Sequence, residues 1–343
     1  MKHLNLNRSM LIPLIVLLGF ALMQSCKKEV VEVEKLRVDT LVKRDTLIRR
    51  DTIIKNDTTI VIVRRDSIII RRDTIYIGMP YIKAPIRSAT AGSNLYITSF
   101  FEYMPAPGQF INTGFGTIDE AKLILKNKDN LLTLGACGGY VVYGFDHTVL
   151  NVSNKEDIIV YGNAFNMFAE PGVIWVMADE NGNGKPDDTW YELKGSQYGK
   201  EGYIRNYAVT YTKPASDADD IAWSDNQGNT GFVKKNIFNT QPYWPQWITA
   251  NQYTLTGTQL PSSNVDDSNP EYITSRAFDY GYADNTLDGD KVDISNAIDK
   301  DGKRVKLKGI DFIKIQTGIL YDMGWLGEQS TEVFGIADLS MVN

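Results

Sequence analysis

The chain has 343 residues, of which 43% are hydrophobic and 23% charged, the composition of a globular protein. Its net charge of −6 is uneven: residues 1–26 carry +2, residues 27–77 carry +4 and residues 78–343 carry −12. A body this acidic lacks the basic footprint that phosphates require, which excludes nucleic acid as a partner.

The N-terminus reads as an export signal, residues 1–25. Lys2, His3 and Arg8 form a positive region ahead of the apolar run Met10–Met23. That run is shorter than the roughly 20 apolar residues of a membrane-spanning helix and suits a signal peptide. It ends in Gln24-Ser25-Cys26, which resembles a lipobox, although Met23 and Gln24 depart from the usual leucine and small residue. The resemblance implies cleavage before Cys26 and its acylation. The following Lys27-Lys28-Glu29 resembles the charged tag of surface-exposed Bacteroidota-type lipoproteins, which places the protein on the outer membrane, at the cell surface. The other reading is an ordinary signal peptide cut near a chance cysteine.

Residues 26–90 read as a stalk and hinge. A six-residue repeat runs through 37–77, with Asp-Thr or Asp-Ser at 39–40, 45–46, 51–52, 57–58, 66–67 and 73–74. A period of six matches neither a helix nor a heptad but suits extended backbone, which the β-branched Ile, Val and Thr also favour. Its two faces are too alike and too sparsely apolar to bury a core within one chain. We expect an extended spacer, single or self-paired; the other reading is a disordered linker. At roughly 3.3 Å per residue a single thread reaches on the order of 130 Å.

Residues 91–343 read as one β-rich domain. Short alternating runs, among them 95–103, 140–145, 172–178, 207–212 and 309–316, are punctuated by Gly, Asn and Asp. That pattern predicts a mostly β fold, an antiparallel β-sandwich with long loop insertions. Thr117-Ile-Asp-Glu120 ahead of Ala121-Lys-Leu is a capping-box pattern and predicts a helix. Residues 198–275 read as insertions between strands. With Cys26 assigned to the signal, Cys137 stands alone in Leu-Gly-Ala-Cys-Gly-Gly, a context for a small buried strand residue.

Asp179, Asn181, Asn183, Gly184 and Asp187 fall at positions 1, 3, 5, 6 and 9 of an EF-hand-like loop, with the Lys185 carbonyl at position 7. Hard oxygen ligands converging around a permissive glycine suit Ca²⁺. Position 12 is Trp190, so a further carboxylate, such as Asp188, has to supply the last ligand. A metal-free Asn-Gly hairpin also fits. The Asp-rich stretches at 217–220, 266–267 and 284–293 read as solvated loops. Gln241-Pro-Tyr243-Trp244-Pro-Gln-Trp247 is the densest aromatic stretch. Two readings balance: a stiff platform on which Tyr243, Trp244 and Trp247 stack a ligand, or a minor core.

Several segments carry a resemblance. They are Gly138–His147, Val160-Tyr-Gly-Asn-Ala-Phe165 leading to Ala169-Glu-Pro-Gly172, Asp179–Ser196, Phe278–Asn285 and Ser330-Thr-Glu332. Together they resemble a family of gut-bacterial "cell surface protein" lipoproteins with a galactose-binding-like, jelly-roll or carbohydrate-binding sandwich. Such proteins are found beside TonB-dependent transporters, including those of vitamin B12 uptake. The resemblance implies capture of a small molecule or glycan for such a transporter, and leaves the ligand open.

Catalytic residue types are scarce. Beyond the signal the only histidine is His147, next to Asp146, read as a satisfied structural residue. No Gly-rich phosphate loop is present. We therefore expect a non-catalytic binding protein. The alternatives are a carboxylate-dependent glycan-active enzyme, which needs only two acids suitably placed, and a structural adhesin, for which the stalk argues.

Overall fold

The computed structural model describes residues 80–342 and, within the repeat, the strands Thr52–Asn56, Thr59–Arg64 and Ser67–Arg71. Cys26, the signal segment and the remaining hexads lie outside the described residues. The chain divides into two units, 1–78 and 79–343.

In the first unit the three strands pair as an antiparallel meander, with Asn56 opposite Thr59 and Arg64 opposite Ser67. Over these residues the repeat takes its self-paired form.

The second unit is mostly β and antiparallel. Its largest sheet orders the strands Ala297–Ile298, Tyr191–Leu193, Gly172–Met177, Gly309–Thr317, Tyr140–Leu150 and Ser99–Met104. Facing it is a three-stranded sheet of Asp290–Val292, Ile158–Tyr161 and Gly335–Asp338. Between them lies the main core, where Tyr143, Ile174, Val176, Ile313 and Ile315 meet Ile158, Val160, Val292 and Ile336. Each such side chain withdrawn from water contributes about 1.5–3 kcal/mol before the entropy of ordering is counted.

The predicted helix is Ile118–Leu123; the Thr117 hydroxyl accepts the Glu120 N–H, and Ala121 packs into the core. Among the described residues no helix is long and apolar enough to cross a membrane.

The segment 198–275 is not a set of bare insertions. It holds a four-stranded antiparallel sheet, ordered Thr230–Val233, Ile221–Asp225, Ile204–Thr212 and Gln252–Gln259. This sheet lies over the outer face of the large one: the Gln316 amide donates to Thr256 O at 3.0 Å and to Gly138 O at 2.9 Å. The Gly309–Thr317 strand is consequently buried along both faces except at Lys314. A second core fills the interface, with Tyr207, Val209, Tyr211, Leu255, Tyr243 and Trp244. Cys137 belongs to it, in a turn rather than a strand, and burial pushes its thiol up to about 12.

The stretch read as a hinge is packed on this unit. Ile82 N donates to Lys306 O, and Arg87 pairs with the buried Asp311 at 2.9 Å. His147 is buried, with Nδ1 2.7 Å from Asp146 and Nε2 2.9 Å from Asp338, a structural setting.

Candidate functional site

A cleft of about 580 Å³ opens in the second unit. That is within the roughly 300–1,000 Å³ typical of small-molecule sites. Its floor is acidic and its walls are aromatic.

The floor is built from three segments remote in sequence. Glu170 follows Ala169, whose carbonyl accepts from Ser275 Oγ at 2.6 Å and Gln329 Nε2 at 3.1 Å. Glu170 Oε1 itself accepts the Ser330 N–H at 3.0 Å. Glu332 lies on the short strand Glu332–Val333, opposite Thr133 of Leu132–Thr133; the Thr133 hydroxyl donates to its Oε1 at 3.1 Å. Asp284 lies beneath the lining residues, fully buried, and holds a left-handed backbone, φ 52°. Its Oδ1 accepts the N–H groups of Asn163 and Ala164, both at 2.8 Å, and its Oδ2 accepts that of Glu332 at 2.9 Å.

One carboxylate oxygen from each of Glu170, Asp284 and Glu332 lies within 4.8 Å of the other two. The Asn163 amide, turned to donate, reaches Glu332 Oε2 at 3.3 Å and Asp284 Oδ1 at 3.2 Å. The approach requires Gly162, since a β-carbon there would stand 2.3 Å from Asp284 Oδ1.

Burial raises all three carboxyls above their ordinary values, and repulsion from Glu170 lifts Asp284 and Glu332 further. A fourth acid, Glu328, lines the same cleft and is only 8% exposed. Its Oε1 accepts the Gln109 N–H at 2.7 Å, while its Oε2 has no hydrogen-bond partner among the described residues. Burial pushes this carboxyl up to about 8.

The walls come from tight loops. Phe165 and Phe168 exchange backbone hydrogen bonds, which sets their rings 4.9 Å apart, and Tyr272 meets Phe168 edge-on at 5.9 Å. Asn236 and Asn239 close a similar loop that carries Phe238, 70% exposed. Trp325 is 50% exposed and donates its indole N–H to Glu271 O at 2.9 Å. Phe115 lines the cleft too and meets Phe110 edge-on.

The aromatic platform expected at Tyr243, Trp244 and Trp247 is corrected. Tyr243 and Trp244 are buried in the second core and Trp247 is half-buried against the main core, its ring 5.8 Å from Tyr103. Pro242 and Pro245 bracket a turn that points the rings inward: Ile248 N donates to Pro245 O, and the Trp244 indole donates to Ile248 O. Asp284 and Asp290, in a stretch read as solvated loop, are buried instead.

The Asp179–Asp188 loop brings its oxygen-bearing side chains together. Asp179, nearly buried, accepts the N–H groups of Asn183 and Gly184. The Asn181 amide reaches Asp187 at 2.8 Å and Asp188 at 3.2 Å, and the Asn183 amide reaches both oxygens of Asp187. Asp188 also accepts the Glu180 N–H. In this arrangement the loop's carboxylates are satisfied by its own Asn amides and backbone N–H groups. Lys185 contributes its carbonyl here, which accepts the Asp187 N–H at 2.9 Å.

Of the sequence segments that carry the family resemblance, those at 160–172, 278–285 and 330–332 meet at the acidic floor through Asn163, Glu170, Asp284 and Glu332. No family model matches the chain, and no curated protein matches it.

Proposed function

We propose that the second unit is a ligand-capture module, and that its cleft takes a ring-bearing, hydroxyl-rich ligand, a glycan or a corrinoid. The observation that carries this reading is the pairing of exposed aromatic walls with a floor of acceptor oxygens. Aromatic faces stack on the apolar faces of rings, and buried carboxylates accept hydrogen bonds from hydroxyl or amide groups. With Cys26 as lipid anchor, the module works at the cell surface beside a TonB-dependent transporter, and Ca²⁺ in the Asp179–Asp188 loop props the neighbouring strand Tyr191–Leu193.

The competing reading is a glycan-active enzyme using the same acids. Retaining glycosidases hold their carboxyls about 5–5.5 Å apart and inverting ones about 6.5–9.5 Å. Both oxygens of Asp284 are already taken by backbone N–H groups, and it is fully buried, so it is held as a structural acid. That arrangement favours capture. Titration of the protein against cobalamins and a glycan panel, with each glycan assayed for turnover, separates the readings: saturable binding without product supports capture, and product formation replaces it with the enzyme.

A further inference from the structure

We propose that Asp311 is a latch coupling the strap formed by residues 80–87 to the Asp179–Asp188 loop. Release of the strap loosens the loop, and whatever orders the loop fastens the strap. The coupling goes beyond the ligand-capture reading and does not depend on it.

The two segments are remote in sequence and meet at one carboxylate. The central strand Gly309–Thr317 shifts register between Ile310 and Phe312, and Asp311 falls in that irregularity. A residue left out of the ladder can aim its side chain away from the regular pleat. Asp311 is fully buried, so each of its oxygens needs a partner. Its Oδ1 accepts from Arg87 Nε at 3.1 Å, Arg87 Nη2 at 2.9 Å and the Thr148 hydroxyl at 2.7 Å. Its Oδ2 accepts the Asp179 N–H at 2.8 Å. One oxygen serves the strap and the other the loop.

Each segment depends on that carboxylate. In the strap Pro80, Tyr81, Lys83, Pro85 and Ile86 are exposed. At one end Lys306 exchanges backbone hydrogen bonds with Pro80 and Ile82. At the other, Arg87 exchanges hydrogen bonds with Thr148 and pairs with Asp311. A segment with so few buried contacts is among the first to open. In the loop Asp179 is the base: Asp311 fixes its backbone, and its own carboxylate accepts the N–H groups of Asn183 and Gly184. A displacement of Asp179 therefore reaches the loop tip. Strap and loop also touch directly, since a β-carbon at Gly182 would stand 3.4 Å from Pro85 Cγ.

Without Arg87 the Asp311 carboxylate is buried without that countercharge and has to take a proton or draw in water. Either outcome weakens its hold on the Asp179 N–H. Coupling between two sites is reciprocal, so a loop held in its folded form pins the strap by the same factor.

Hydrogen exchange of the full chain, read by mass spectrometry, tests the latch. In Arg87→Gln the segments 80–87 and 179–188 should exchange faster together, by roughly 5–150-fold. The core strand Ile158–Tyr161 should keep its wild-type rate. Arg87→Lys retains a countercharge and takes the place of Arg87→Gln if that variant does not fold. In the reverse direction, Gly184→Ala strains the loop alone, because Gly184 holds φ 73° with open space around it, and exchange in the strap should quicken. Lys122→Ala, which breaks the exposed pair with Asp119, is the control and should change neither segment. A wild-type rate in the loop of the folded Arg87 variant overturns the proposal, and so does a wild-type rate in the strap of Gly184→Ala.

Discussion

The phenol oxygen of Tyr243 accepts the backbone N–H of Asn236 at 2.9 Å, so a side chain buried in the second core props the loop that carries Phe238 at the cleft rim. The two residues separate support from contact. Tyr243→Phe leaves the Asn236 N–H unpaired and is expected to cost about 0.5–1.5 kcal/mol of stability. Phe238→Ala removes an exposed ring, so stability should stay within about 0.5 kcal/mol of wild type while ligand binding weakens. Denaturant midpoints and ligand titrations on the two variants check this; early unfolding of Phe238→Ala contradicts the rim assignment.

Gly162→Ala places a methyl group 2.3 Å from Asp284 Oδ1, with the Asp284 backbone only 2.7 Å away. Overpacking there is expected to cost about 1–3 kcal/mol. Gly114→Ala meets nothing within 4 Å and serves as the control. Equal denaturation midpoints for the two variants would count against a tightly built floor.

Much of the fold was legible in local pattern. The alternation of Gly-Ile-Asp-Phe-Ile-Lys-Ile-Gln marks the central strand 309–317, and Thr117 with Glu120 marks the helix start. Of the four-stranded sheet only the run 207–212 was legible, because a strand such as Gln252–Gln259 buries only Leu255 and Thr258 fully and reads as a polar loop. The floor was hidden for a different reason. Asp284 sits in Tyr-Ala-Asp-Asn, an ordinary turn composition, and its burial depends on N–H groups of Asn163 and Ala164 about 120 positions away. Tyr243 and Trp244 failed as a platform because aromatic density does not say which way rings point. The segments at 160–172, 278–285 and 330–332 were the available signal for the floor, through the resemblance they share.

Glu328 links stability to pH. Its folded carboxyl lies at about 8 against an ordinary 4.5, so the folded state holds the proton more tightly. The contribution is complete below about pH 4.5 and is lost as pH rises through about 8. In EDTA, Tm should fall between pH 5 and 8.5, and Glu328→Gln should flatten that fall. Parallel pH profiles for variant and wild type would remove Glu328 as its source.

The Asp179–Asp188 loop predicts a calcium dependence of its own. Binding to the folded state alone stabilises by mass action, about 2.7 kcal/mol at a ligand concentration of 100 Kd. Thermal melts should rise with Ca²⁺ over EDTA, and Asp187→Ala should diminish the rise while leaving the EDTA melt nearly unchanged, since Asp187 is exposed. An undiminished rise in the variant removes the metal from the loop.

The central claim is that the cleft captures its ligand on aromatic walls. Isothermal titration of wild type, Phe165→Ala and Trp325→Ala against the glycan or cobalamin that binds wild type tests it most directly. Both side chains are at least half exposed and line the cleft. The account predicts that each variant melts like wild type and binds more weakly by about 1–3 kcal/mol, with no turnover of any glycan. Wild-type affinity in both variants, with Tyr243→Phe equally silent, would place the ligand elsewhere and contradict it.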